Sequence, residues 1–98
     1  LPVPDLNGCG RFKGDEAVSR WLARLLSEFQ RVGYTENNLP HSRIIQAIDM
    51  LSEGEAASYL DNNFQAQAVI ERARVNISIQ ADRQALETAL RDRFITQF

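Results

Sequence analysis

The sequence predicts an all-α domain: a small bundle of four to five helices over residues 15–98, entered through an extended N-terminal arm at residues 1–14. Three observations predict it. Apolar residues recur at three- and four-residue spacing through most of the chain, the mark of helices with one buried face. Two of the three prolines and three of the five glycines fall in "LPVPDLNGCGRFKG", a composition that opposes helix and favours extended or turning backbone. Gly33, Pro40 and Gly54 then fall between the periodic stretches, where helices stop and start.

Each element follows in order. In the first helix Val18, Trp21, Leu22, Leu25, Leu26, Phe29 and Val32 form one broad apolar stripe ending at Gly33. Asp15 is expected to cap its start and Glu16 to add favourable charge there. Its other side carries Arg20, Arg24, Glu28 and Arg31, a row that stays together on a helix. After "GYTENNLP", Pro40 suits the first turn of a second helix running to about Leu51, with Leu39, Ile44, Ile45, Ile48 and Leu51 inward. "SEGE" interrupts, and Ala56, Ala57, Tyr59 and Leu60 mark a short third helix whose small residues allow close packing. "NNFQAQAVIERAR" suits a fourth helix with Phe64, Ala68 and Val69 inward. "VNISIQ" alternates Val75, Ile77 and Ile79 as a strand would, and is taken as an extended link. Asp82 is expected to cap a last helix whose Ala85, Leu86, Ala89, Leu90 and Phe94 share one side, with Glu87 placed to pair with Arg91.

Ninety-eight residues, 44% hydrophobic and without a run of eighteen apolar residues, describe a single domain with no membrane span and no secretory leader. A chain of this length can bury a core without disulfides or metal. Cys9 is the one cysteine and His41 the one histidine, too few for an intramolecular bridge or a Cys/His zinc site, which points to a reducing, cytoplasmic setting. Eleven basic against 13 acidic residues, net −2, argue against a duplex-binding module, whose affinity rests on a basic face. Ten of the eleven bases are arginine, which suits forked contacts to carboxylate or phosphate at interfaces. The start at Leu1 and the stop at Phe98 within a helical pattern suggest a domain excised from something longer.

No catalytic set stands out, and no enzyme, cofactor or metal is expected. His41, between Pro40 and Ser42, lacks a partner motif and is assigned at most a local cap. Cys9 in "GCG" is expected to be accessible and mobile, without the basic or helix-start setting that lowers a thiol pKa. Gly8, Gly10 and Gly14 follow no strand and precede no Gly-Lys-Ser/Thr, so they form no phosphate loop. Trp21, Phe29, Phe94 and Phe98 sit at helical spacings and belong to a core rather than a base-stacking platform, which would interleave a basic groove.

The order of "F-K-G-D" at 12–15, Trp21-Leu22, Phe29, "RIIQAIDMLSEGEAASY" at 43–59 and Leu86, Leu90, Phe94 resembles the Gag capsid domain of long-terminal-repeat retrotransposons of the Ty3/gypsy type. The resemblance covers residues 12–60 and, less fully, 82–96. Tyr59 stands where that family usually has Trp, and Arg83 where its last helix often begins with another. The resemblance implies an N-terminal capsid lobe that self-assembles into intracellular virus-like particles, with RNA bound through a separate segment. It also implies an alternative, since domesticated Arc-like relatives take up short peptides in a hydrophobic groove near the arm. Candidate assembly residues are Arg20, Arg24 and Arg31; candidate core or groove residues are Phe12, Trp21, Phe29, Ile48, Leu51 and Tyr59.

Overall fold

A computed structural model of the chain describes residues 1–95; Phe98, expected in the core, lies outside them. A 3-10 turn at Leu6–Cys9 precedes five helices: α1 (Val18–Arg31), α2 (His41–Leu51), α3 (Gly54–Asn62), α4 (Phe64–Arg74) and α5 (Gln80–Arg93). The all-α expectation holds, and the described residues contain no strand beyond one isolated bridge, Phe12 to Ser52. Helix α2 lies at the centre of the lobe, packed on α4 and α5, while α1 lies between the arm and α5. The Cα radius of gyration, 12.6 Å, is close to the roughly 13 Å of a compact 100-residue domain, so the arm is folded in rather than trailing.

Helix α1 buries Val18, Trp21, Leu22, Leu25 and Phe29 of the predicted stripe, while Leu26 is half-buried and Val32 is buried just past the helix end. Its start corrects one expectation: the N-cap is Ala17, with no side-chain cap. Residues 14–17 are used to turn the chain out of the arm, so Asp15 stops short of the first free N–H groups. Its end is as predicted. The Gly33 N–H reaches the Gln30 carbonyl at 3.0 Å and the Tyr34 N–H the Phe29 carbonyl at 3.2 Å, a Schellman arrangement made available by the positive φ of Gly33. The same close returns after α4, where Asn76 takes the left-handed position and Ile77 N–H reaches the Arg72 carbonyl at 3.1 Å. Asn63 ends α3 and begins α4, its Oδ1 accepting from Ala66 N–H at 2.8 Å.

Helix α4 corrects a second expectation. Its buried residues are Ala66, Val69, Ile70 and Ala73, and Phe64 is 89% exposed. With the cap at Asn63, Phe64 begins the helix about 200° around the axis from Ala66, on the side away from the core. Ala68 is half-buried. Val75, Ile77 and Ile79 form the link without pairing to another strand, and all three are exposed. In α5 Leu86 and Leu90, with Phe94 just past its end, are buried as expected, whereas Ala85 is exposed and Ala89 only half-buried. Asp82 is the third helical residue rather than the cap, and its Oδ2 still accepts the Ile79 N–H at 3.2 Å. Its Oδ1 accepts from Arg72 at 2.7 Å, and this bond, ahead of the backbone one, holds its carboxyl below the usual range despite partial burial.

Gly14 is the tightest joint. Its φ is 88°, and a Cβ there would lie 2.7 Å from Cε1 of Phe94. Gly14→Ala is expected to cost on the order of 1–3 kcal/mol through backbone strain, with a further loss as the ring is displaced. Gly54 also has positive φ, at 55°, but faces open space, so Gly54→Ala incurs the strain alone. Thermal unfolding of the two variants checks the order: Gly14→Ala melts lower.

Candidate functional site

The arm is built into the lobe by a clamp on either side of Phe12. The Phe12 N–H donates to the Leu51 carbonyl at 2.8 Å, and the Glu53 N–H donates to the Phe12 carbonyl at 2.8 Å. One arm residue therefore satisfies a carbonyl at the end of α2 and an N–H just before α3. Two residues upstream, the Gly10 carbonyl accepts Nε1–H of Trp21 at 3.0 Å, which supplies the indole donor with the partner that burial demands. The rings then run in a chain. Phe12 stacks on Trp21 with centroids 5.2 Å apart and planes at 29°. Phe94 meets Phe12 edge-on at 5.3 Å, and Tyr59 meets Phe94 edge-on at 6.0 Å. The arm, α1, α3 and the end of α5 are joined through aromatic contacts.

Of the predicted core or groove residues, Phe12, Trp21, Phe29, Ile48 and Leu51 are buried, and Tyr59 is half-buried against the core. The place where α2 meets α3 is filled by Phe12 of the same chain. What stays open is a neighbouring apolar cleft of about 210 Å³ between the start of the arm and α2, lined by Val3, Leu6, Phe29, Ala47 and Met50 with Arg43 and Gln46 at its polar side.

The arginine row divides. Arg24 Nη2 pairs with Glu16 at 2.5 Å and its Nε donates to the Cys9 carbonyl at 3.3 Å. Arg31 pairs with Glu28 through Nε at 3.0 Å and Nη2 at 2.6 Å. Glu28 in turn accepts the Asp5 N–H at 2.7 Å. Arg24 and Arg31 thus fasten the arm to α1, one directly and one through Glu28. Arg20 is exposed and makes no ion pair among the described residues.

Cys9 departs from its expectation: it is buried, with Sγ 3.9 Å from the Arg24 carbonyl. The Asp5-capped turn and the Arg24 contact press it onto α1. Burial first, then the negative charge of Glu28, push its thiol pKa up, so it is a poor nucleophile at neutral pH.

Arg31 and the Asp5 N–H hold the Glu28 carboxyl down to about 2. A depressed carboxyl pKa contributes stability that is present above the unfolded value near 4.5 and is lost as pH falls through that value toward about 2. Arm docking is accordingly expected to weaken over that window in the native chain and to lose this pH dependence in Glu28→Gln, as read from amide exchange at residues 5–9.

The sequence pattern does not single out Arg83 as an interior residue. It and Glu87 are buried on α5, with Nη1 donating to Glu87 Oε2 at 2.7 Å, and Arg83 Nε donates to His41 Nδ1 at 3.1 Å. His41 is therefore no local cap for Ser42, whose hydroxyl accepts the Ser78 N–H at 3.0 Å. The signal was the i, i+4 spacing of Arg83 and Glu87 on the apolar side of the last helix, beside Leu86 and Leu90.

Among the described residues no group of three or more His, Cys, Asp or Glu side chains could hold a metal ion. No helix there is long and apolar enough to cross a membrane. No protein-family model matches the chain, and no curated protein or solved structure matches it.

Proposed function

We propose that this chain is a Gag-like capsid lobe, a structural module of the cytoplasm that assembles with copies of itself into virus-like particles. RNA would be held through a separate segment, and no reaction is assigned. The observation that carries the proposal is the convergence of residues on which the resemblance rests: Phe12, Trp21, Phe94 and Tyr59 pack as one chain of rings, with Gly14 closing on Phe94.

With the arm docked, α1 keeps an outward face on which Arg20 is exposed and makes no ion pair among the described residues. Residues 1–63 carry six bases and nine acids, net −3; residues 64–98 carry five bases and four acids, net +1. The two sequence halves thus differ in the sign of their net charge, and many weak contacts between copies gain strength through valency.

Sedimentation across a concentration series tests the proposal. The average mass should rise above the 11.1 kDa of one chain, and Arg20→Glu should suppress the rise while leaving helicity intact. Arg24→Glu should suppress it too, but with loosening of the arm, because Arg24 also holds the Cys9 carbonyl.

The open cleft beside the arm supports one alternative, an Arc-like adaptor that binds a partner peptide. A chain that stays at monomer mass, yet shows Met50 and Arg43 resonances shifting on addition of short apolar peptides, would favour it.

A further inference from the structure

The start of α2 holds two other parts of the lobe through polar groups. His41 Nδ1 accepts from Arg83 Nε of α5 at 3.1 Å, and Ser42 Oγ accepts from Ser78 N–H of the 75–79 link at 3.0 Å. Behind them Arg83 and Glu87, 7% and 5% exposed, form an ion pair inside the lobe.

A guanidinium has donors only, so the Nδ1 atom it addresses carries the lone pair. His41 is thereby neutral, with its proton on Nε2. A second proton has one place to go, the Nδ1 atom that the Arg83 donor already occupies. Protonation would end that hydrogen bond and set two cations about 3 Å apart in a half-buried site. Arg83 cannot turn away without leaving Glu87 buried, its other basic contact being Arg91 at 3.9 Å.

The surroundings offer little relief. The link, V-N-I-S-I, carries no charge. On α4, Arg72 is engaged by Asp82, and Arg74 by Glu71 and Asp49. The docked link is also incompletely satisfied, since Ser78 Oγ is buried without a hydrogen-bond partner among the described residues.

We propose that His41 is a proton-operated latch: neutral, it holds the first turn of α5 against α2, and protonated, it releases that turn and, through it, loosens the adjoining 75–79 link that Ser42 alone then holds. The freed segment is apolar, with Val75, Ile77 and Ile79 already exposed, so mild acid loosens a sticky loop without unfolding α1.

The sign follows from the same geometry. Burial, then the charge of Arg83, lower the imidazole pKa below its ordinary 6.5, with Glu87 opposing. A lowered histidine pKa gives stability that is complete above 6.5 and declines as pH falls from there toward the folded-state value. His41 is the one histidine in the chain, so this window stands apart from the carboxylates.

Nitrogen-15 NMR of the full chain tests the latch. The expected result is the Nε2–H tautomer at neutral pH and an imidazole midpoint below 6.5. After correction for intrinsic exchange, protection of the amides of 77–83 should fall between pH 7 and pH 5, by up to about tenfold for each unit the midpoint is depressed, while α1 stays protected. His41→Asn places an acceptor oxygen where Nδ1 was and removes the titration, so its protection should be flat over this range. A midpoint at or above 6.5, an Nδ1–H tautomer, or the same pH step in His41→Asn would overturn the proposal. The first two outcomes are read in the native chain and do not depend on the variant folding.

Discussion

Phe12→Ala is expected to destabilise the domain by about 3–5 kcal/mol, the range for deleting a buried aromatic ring. Phe12 is fully buried, although it belongs to a segment rich in proline and glycine. Its ring lies between the stacked face of Trp21 and the edge of Phe94, so removal strips contacts from both and leaves a cavity that three separate elements would have to close. The two backbone bonds to Leu51 and Glu53 survive the substitution in principle but lose the ring that fixes them. Because small domains hold only about 5–15 kcal/mol in total, the variant should lie close to the unfolding threshold. Phe64→Ala provides the contrast, since that ring is exposed and its loss should stay within about 0.5 kcal/mol. Urea unfolding midpoints decide: a large shift for Phe12 beside almost none for Phe64 is expected, and comparable shifts would contradict the docked arm.

Arg83→Met and Glu87→Leu, made singly, should each cost about 3–5 kcal/mol, because each leaves an uncompensated charge in the interior. The pair made together should recover most of that loss. Desolvating two ions offsets much of their attraction, and apolar replacements of similar volume are often neutral or stabilising there. A double-mutant cycle by chemical denaturation measures the coupling, which should be large and of the sign that makes the double variant better than the sum of the singles. Additive costs would mean that Arg83 and Glu87 act independently and that their 2.7 Å contact carries little.

The helices were legible where periodicity and punctuation agreed. The stripe from Val18 to Phe29 has one partner side and one solvent side, and Gly33 closes it through a left-handed turn that few other residues accept. The end of α2 at Leu51 and the break at "SEGE" were legible for the same reason. Errors arose where a single residue outweighed its neighbours. Phe64, large and apolar, suggests an inward position, yet the alanines at 66 and 73 with Val69 and Ile70 set the face of α4, and small residues give a faint pattern. Asp15 has the residue type of a cap, but the turn at Gly14 consumes the residues after it.

The candidate site was less legible. Phe12 and Trp21 were recognised as anchors, but the contacts that fasten the arm are carbonyls and N–H groups of Cys9, Gly10 and Asp5, which sequence does not display. Two flanking glycines suggest a mobile Cys9, but Arg24 holds its carbonyl. Arg24, Glu28 and Arg31 formed the row that helical spacing requires, yet spacing does not tell whether such a row faces a neighbour or the chain's own arm. The assignment of Glu87 to Arg91 named the weaker of two partners; the stronger, Arg83, lies one turn the other way and inward.

Both the capsid proposal and the clamp require that residues 10–12 close over Trp21, and that residue is the one tryptophan in the chain, fully buried with its N–H on the Gly10 carbonyl. Acrylamide quenching of its fluorescence is therefore the most direct test. Blue-shifted emission and weak quenching are predicted for the native chain, with a rise in quenching for Phe12→Ala. Red-shifted emission with ready quenching in the native chain would show the indole open to water and would contradict the docked arm on which the whole account stands.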